Sequence, residues 1–294
     1  MNFIRFITNR LQAYGVLTKP TIMLLVAITG AAGLVLQGSF LGDPLRFAFA
    51  LLLVSMAGGS ANAFNQAFER DRDAQMDRTK QRRPLPSKKI SATEAFTVAS
   101  ALGVISVASF WYWYNPLSAL LSAGTIIFYA LFYTLYLKPR TPQNIVIGGA
   151  AGAMAPVIGW AAGAGSLGME PILMFLIIFF WTPPHFWALA LCLKEDYRRV
   201  NLPMMPLIIG DAKTWKLIII YAFLTLAVSG GMFFYGTGIL YAVAAIGLGA
   251  IFMRKIFKAR SEASVKSAWG VFGYSIVYLL VLFIALIVDK GLSL

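Results

Sequence analysis

The sequence contains one cysteine, Cys192, and one histidine, His185, and its 12 acidic residues are outnumbered by 25 lysines and arginines. A single cysteine excludes a disulfide framework and a cysteine-ligated metal site within the chain. No A-x-A cleavage site follows the first apolar run, which argues against a cleaved signal peptide. The few acids are also unevenly distributed, because four of the 12 lie between Ser60 and Ser87.

Long apolar stretches, in contrast, are abundant. Hydrophobic residues make up 59% of the chain and the mean hydropathy is +0.73, well outside the range of soluble proteins. A membrane-spanning helix needs roughly 20 apolar residues. Nine windows meet this requirement, at about 21–38, 45–64, 92–113, 116–137, 143–163, 171–193, 215–235, 237–253 and 268–288. The predicted fold is therefore an all-α, polytopic membrane protein with nine transmembrane helices.

The basic residues are segregated between the two sides of the predicted membrane. Of the 25 lysines and arginines, 23 fall in alternate loops on one side, and only Arg46 and Lys290 fall on the other. The positive-inside rule then predicts a cytoplasmic N-terminus and an external C-terminus. The net charge of +13 could indicate binding to nucleic acid. Its distribution over one side of the predicted membrane indicates association with a lipid bilayer instead. Residues 1–19 are expected to form a short interfacial helix, and the lack of a longer Ser- and Arg-rich leader favours a bacterial cytoplasmic membrane.

The first candidate site lies in the acidic stretch that follows the second span. Asn65, Glu69, Asp73 and Asp77 are each four residues apart, a spacing that places them on one face of a helix. Carboxylate and amide oxygens beside arginines and lysines suit Mg²⁺ that carries a phosphate-rich substrate. The alternative is a solvated helix extension whose acids pair with the neighbouring basic residues.

Two further segments carry candidate residues. Span four ends with Tyr133, Lys138 and Arg140, which predict either an interfacial aromatic belt with ordinary flanking charges or a clamp for phosphate oxygens. In span six, Pro183 and Pro184 remove backbone hydrogen bonds immediately before His185. A histidine in a membrane helix is a functional candidate; the alternative is a neutral imidazole that bonds to a carbonyl freed by the prolines.

A second acidic patch, Glu195 and Asp196, follows span six, four helices after the first. Glu195 and Arg199 at i,i+4 can form a surface ion pair, which leaves Asp196 unexplained. The separation indicates a weak four-helix repeat in which the two patches face each other. Span five is built mostly of small residues, which predicts close helix packing.

Several motifs together carry a family resemblance. They are Asn65-x-x-x-Glu69-x-x-x-Asp73, Met76-x-Arg78-Thr79 and Arg83-Pro84, then Thr18–Pro20, Tyr136–Gly149 and Pro184–Tyr197. The first three resemble the first motif of the UbiA-type intramembrane prenyltransferases. The other three are similar to the protohaem IX farnesyltransferase (haem O synthase) branch of that superfamily. The resemblance covers nearly the whole chain.

The resemblance implies one transmembrane prenyltransferase domain over 1–294, with a central cavity open towards the cytoplasmic side and catalytic loops at 65–90 and 194–214. The implied reaction transfers a farnesyl group from farnesyl diphosphate to a vinyl group of haem b, giving haem O. Haem A synthase or a terminal oxidase assembly would be the downstream partner. Mg²⁺ is the implied cofactor, held by Asn65, Glu69, Asp73 and Asp196.

Further roles are also implied. Arg78, Lys138, Arg140 and Arg199 would bind the diphosphate. His185 would bind haem, and Tyr133 and Trp181 would line the cavity.

The sequence departs from the family pattern at two positions. Glu69 stands where many members have Asp. Val200 lies four residues after Asp196, so the second patch has no second carboxylate at that position. How a second metal is held stays open, and an aromatic acceptor or a transporter remains an alternative.

Overall fold

The computed structural model describes residues 3–292, with side chains from residue 8 onwards, and this part of the chain contains only helices and connecting turns. The helices are α1 (Phe3–Thr18), α2 (Pro20–Gln37), α3 (Pro44–Asp73), α4 (Ala92–Trp113), α5 (Pro116–Ile127), α6 (Lys138–Arg140), α7 (Asn144–Gly152), α8 (Ala155–Ala164), α9 (Met169–Cys192), α10 (Lys194–Arg199), α11 (Met205–Ile209), α12 (Asp211–Gly231), α13 (Ile239–Glu262) and α14 (Val265–Leu292). A π-helical segment, Phe128–Leu137, joins α5 to α6, and a 3₁₀ turn, Met232–Tyr235, follows α12.

Nine stretches of the described chain are long and apolar enough to cross a membrane. This confirms the predicted number of spans and the all-α class. One boundary differs in a way that matters for function: α3 continues to Asp73, although the sequence window ends at 64. The predicted loop 65–90 is therefore helical as far as Asp73, because no proline or glycine interrupts the stretch from Ser60.

The fifth span consists of two helices, α7 and α8, and packs closely against α2. A Cβ atom on Gly33 would lie 2.9 Å from the Cα and carbonyl carbon of Pro156, and one on Gly159 would contact the carbonyl oxygen of Gly30. Only glycine permits backbones to approach this closely. The predicted packing role of the small residues is therefore confirmed.

The π-helical segment at the end of span four was not predicted. The Thr134 hydroxyl donates to the Tyr129 carbonyl five residues earlier at 2.7 Å, and the rings of Tyr129 and Tyr133 stack with centroids 5.0 Å apart. A Cβ on Gly148 would overlap the ring of Tyr133, so the glycine makes room for it. Such segments are rare and occur frequently at functional sites.

Two predicted helical features are seen in the described part of the chain. Pro183 and Pro184 lie inside α9, which continues through both of them to Cys192. The interfacial segment 1–19 forms α1, in which Ala13 and Leu17 are buried and Leu11 is exposed. The apolar side chains predicted for that helix between residues 3 and 7 lie outside the described set.

Candidate active site

The last two turns of α3 carry a pair of buried carboxylates. Glu69 and Asp73 are each 3% exposed, and Asn65 one turn earlier is 2% exposed. These three residues lie on one helix face, as their spacing predicts, and that face points into the protein. The fourth residue of the series, Asp77, lies beyond the end of the helix, and its side chain is 55% exposed. Buried carboxylates need compensating partners.

Each of these three side chains has a basic side chain as a partner. The Lys138 ammonium lies 2.5 Å from Glu69 Oε1. The Arg83 guanidinium forms an ion pair with Asp73 and lies 3.7 Å from Glu69. The Lys19 ammonium donates to Asn65 Oδ1 at 3.1 Å, while the amide nitrogen of Asn65 donates to the Thr134 hydroxyl at 3.1 Å. We call Lys19, Asn65, Glu69, Asp73, Arg83 and Lys138 the carboxylate cluster.

Sequence reasoning assigns no role to Lys19 or Arg83. Both belong to motifs that carry the family resemblance, Thr18–Pro20 and Arg83-Pro84. Their proximity depends on the fold, since Lys19 precedes Asn65 by 46 residues and Arg83 follows Asp73 by ten. A basic residue beside a proline at the membrane boundary is the signal that could have identified them.

Asp196 joins the second acidic patch to the first. It is 9% exposed, and its two carboxylate oxygens accept the backbone N–H groups of Asp77 and Arg78, both at 3.2 Å. The loops after spans two and six are therefore in direct contact, as the weak repeat suggests. In this arrangement Asp196 fixes the backbone that carries Arg78.

The four predicted diphosphate-binding residues separate into two groups. Lys138 and Arg78 line a small cleft together with Glu69, Asp73 and Tyr197, and the Arg78 Nε atom is buried without a hydrogen-bond partner among the described residues. The other two lie apart: Arg199 pairs with Asp77 at the surface at 2.8 Å, and Arg140 donates to the carbonyl groups of Leu135 and Tyr136.

Asp77 and Tyr197, in the loops near the cleft, both have shifted pKa values. Hydrogen bonds from Lys80 and Arg199 hold the pKa of Asp77 below its usual range, so this surface carboxylate stays ionised. Burial raises the pKa of Tyr197, so its hydroxyl stays protonated as a hydrogen-bond donor. Tyr197 ends the similar stretch Pro184–Tyr197, but sequence reasoning gave it no role.

An apolar cavity of about 250 Å³ lies next to the carboxylate cluster. Asn62 on α3 lines it, and Glu69 follows two turns later, roughly 10 Å further along the axis. Tyr133 also lines it, and the Lys138 ammonium lies 5.9 Å from the centroid of the Tyr133 ring. Tyr129 and Trp181 contribute further aromatic surface. A charged cleft and an apolar cavity therefore lie next to each other.

His185 also lines the cavity and is 8% exposed. Its ring lies between those of Trp181 and Phe272, with centroid distances of 4.4 and 4.6 Å and interplanar angles of 16° and 25°. Its Nδ1 atom is 2.7 Å from the Ser275 hydroxyl on α14. The imidazole is therefore held by a serine rather than by a carbonyl that the prolines free.

The oxygen atoms of the cluster fit Mg²⁺ in one particular way. The described residues contain no group of three or more His, Cys, Asp or Glu side chains that could enclose a metal by themselves. Two carboxylates and one amide oxygen are instead a partial set of hard ligands, which Mg²⁺ typically completes with water and substrate phosphates. The buried Glu69 and Asp73, with Asn65, fit a metal that arrives with a diphosphate.

The chain matches a known family over most of its length. The sequence profile of the UbiA prenyltransferase family matches residues 25–287. A protoheme IX farnesyltransferase from Nitrosococcus oceani is 44% identical over 293 residues, covering 99% of this chain and 98% of the relative. The one from Erythrobacter litoralis is 43% identical over 283 residues, covering 94% and 92%.

Solved structures share the fold at low identity. Digeranylgeranylglyceryl phosphate synthase superimposes with a TM-score of 0.78 at 19% identity, covering 96% of this chain and 98% of that one. A UbiA homologue from Archaeoglobus fulgidus, bound to GPP and Mg²⁺, gives a TM-score of 0.67 at 19% identity, covering 94% and 99%.

Proposed function

The chain belongs to the UbiA prenyltransferase family, and we propose that it transfers the farnesyl group of farnesyl diphosphate to a vinyl group of haem b, giving haem O. Its relatives that are more than 40% identical over nearly the whole chain carry the name protoheme IX farnesyltransferase. Those names favour haem over an aromatic ring as the acceptor, and membership of an enzyme family argues against a transporter.

One structural observation carries the proposal: a cluster of buried charges borders an apolar cavity. The cluster holds Arg83 and Lys138 against two carboxylates, and Lys19 lies beside Asn65, where burial and the neighbouring Arg83 lower the pKa of Lys19 well below its usual range. Arg78 adds a further positive charge in the cleft. The positive charges of Arg78, Arg83 and Lys138 exceed the two negative ones and favour an anion such as diphosphate, while the apolar lining of the cavity matches the apolar surfaces of a hydrocarbon chain and a porphyrin.

The residues of the chain have separable tasks in this reaction. Lys138 and Arg78 bind the diphosphate oxygens and stabilise the negative charge that grows on them as the allylic C–O bond breaks. Asn65, Glu69 and Asp73 lie at the boundary of the cavity, where they would hold the metal that accompanies the diphosphate. The cavity keeps water from the allylic cation, and the faces of Tyr133 and Trp181 stabilise it until the vinyl π-bond attacks. The new C–C bond moves the positive charge to the vinyl carbon beside the porphyrin, where one water molecule adds and releases a proton, which leaves the hydroxyl group of haem O and free diphosphate as products.

Asn65, Glu69 and Asp73 would hold Mg²⁺. Bound there, Mg²⁺ would supply Lewis-acid neutralisation of the departing diphosphate. The A. fulgidus homologue is bound to GPP and Mg²⁺, which supports Mg²⁺ as the metal. Asp196, whose oxygens both accept backbone N–H groups, would contribute by fixing the loop of Arg78.

The protein is a multi-pass membrane protein. We place the charged cleft on the cytoplasmic side, with the N-terminus inside and the C-terminus outside, because the basic loops predict it. Relatives from bacteria favour the bacterial cytoplasmic membrane. A downstream partner such as haem A synthase or an oxidase assembly stays a prediction.

Purified protein incubated with haem b, farnesyl diphosphate and Mg²⁺ should form haem O, detected by mass. EDTA should stop the reaction, and added Mg²⁺ should restore it. An aromatic quinone precursor offered in place of haem b is the control acceptor. Prenylation of that ring with no haem product would contradict the proposal.

Lys138 and Arg140 offer a matched test of the diphosphate site, because they lie two residues apart. We expect Lys138→Met to lower kcat/KM for farnesyl diphosphate about 100-fold, since it removes a cation from the cleft. Arg140→Met should change it less than about threefold, because that guanidinium bonds to the carbonyl groups of Leu135 and Tyr136. Equal losses in the two variants would contradict this division.

A further inference from the structure

The contacts of His185 favour one position for its ring proton. Ser275 is fully buried, and its hydroxyl lies 2.6 Å from the Phe272 carbonyl and 2.7 Å from His185 Nδ1. A serine hydroxyl has one proton and two acceptor lone pairs. A hydroxyl that donates to the Phe272 carbonyl can only accept at its contact with His185. In that arrangement Nδ1 is the protonated nitrogen and Nε2 holds a lone pair.

The surroundings of the ring leave only the Nε2 edge for a ligand. Trp181 and Phe272 cover the two faces, and Phe186 stands against the ring at 85° with a centroid distance of 5.0 Å. Among the described residues none hydrogen-bonds to Nε2. His185 nevertheless lines the cavity, and the Nε2 edge is the one that a molecule bound there would meet.

We propose that Ser275 is a positioning residue, which holds His185 in the Nδ1–H tautomer so that Nε2 ligates the iron of the haem substrate. Neutral imidazole with its second nitrogen donating to an oxygen is the usual form of a metal-ligating histidine. Such a bond would fix the porphyrin at the wall formed by α9 and α14. This inference rests on the proposed function, since that function brings haem into the cavity.

The tautomer can be measured directly because the chain has a single histidine. Protein labelled with ¹⁵N-histidine gives one imidazole spectrum, in which protonated and unprotonated nitrogens have well-separated shifts. We expect Nδ1 protonated and Nε2 unprotonated in the wild-type protein without haem. Ser275→Ala should shift the population towards Nε2–H, and Ser275→Thr, which keeps the hydroxyl, should restore the original form.

Haem binding gives the second measurement. Haem b titrated into the full-length protein should show the absorption and Fe–histidine vibration of a histidine-ligated iron. Ser275→Ala should weaken haem affinity about 10- to 100-fold, the usual loss when a metal-bound histidine loses its hydrogen-bond partner. His185→Gly should lose the histidine signature and regain it with added imidazole. The control is Ser106→Ala, another fully buried serine, which donates to the Leu53 carbonyl.

The outcomes separate this inference from the proposed function. A wild-type protein that makes haem O while its histidine carries Nε2–H would overturn the inference and leave the function standing. The same holds if Ser275→Ala keeps the wild-type tautomer and haem affinity. A protein with the expected tautomer and a histidine-ligated haem that makes no haem O would overturn the function instead.

Discussion

Asp73→Asn is expected to lower the turnover of farnesyl diphosphate about 10³-fold while the protein stays folded. The substitution keeps the shape of the side chain but removes one of the two buried negative charges at the end of α3. A metal-diphosphate complex loses a charged ligand there, and a loss of roughly 4 kcal/mol in transition-state stabilisation corresponds to this factor. In the variant, Arg83 still has the Glu69 carboxylate 3.7 Å away as a counter-ion.

The matched control for Asp73 lies two residues earlier. Asp71 is on the same helix, but its side chain is 85% exposed and pairs with Arg70 at the surface. Asp71→Asn should leave turnover within about twofold of wild type. Thermal unfolding of both variants in detergent, measured beside haem O formation, separates loss of chemistry from loss of fold. Normal turnover in Asp73→Asn would remove Asp73 from the metal site.

Gly33→Ala is expected to destabilise the bundle more than any other single-methyl change in α2. The new Cβ would fall 2.9 Å from backbone atoms of Pro156, which have no rotamer by which to move away. Helices α2 and α8 would have to separate along their whole contact. We expect the free energy of unfolding to fall by about 3 kcal/mol, with a decrease in Tm of roughly 6–12 °C.

Gly270 on α14 provides the comparison, because a Cβ there has nothing within 4 Å. Gly270→Ala should keep or raise Tm, since alanine favours a helix over glycine by about 1 kcal/mol. Both variants are measured by thermal unfolding in the same detergent. A Tm of Gly33→Ala equal to that of Gly270→Ala would show that α2 and α8 do not pack as described.

Predictions that depend on local composition were confirmed. The number of spans follows from hydropathy, because a bilayer core demands about 20 apolar residues wherever the chain crosses it. The small residues of span five predicted close packing because their size alone decides how near two backbones come. The family, too, could be identified from motifs such as the one from Asn65 to Asp73, since each motif is contiguous in the chain.

The composition of the site could be predicted only in part. Asn65, Glu69 and Asp73 share a helix face because their spacing matches the helical period, and all three are buried. Lys138 and Arg140 look equivalent in the sequence. The π-helical segment before them turns Lys138 towards Glu69 and leaves Arg140 on the outer surface, a change of direction that no hydropathy pattern records.

The sequence by itself therefore determined the membrane class, the number of helices and the helix face that carries the acids, because each depends on residues close together in the chain. Tertiary structure decided which cations compensate those acids and how the one histidine is held. Lys19 reaches Asn65 across 46 residues and Ser275 reaches His185 across 90. Such contacts arise from the packing of distant helices, and local spacing carries no information about them.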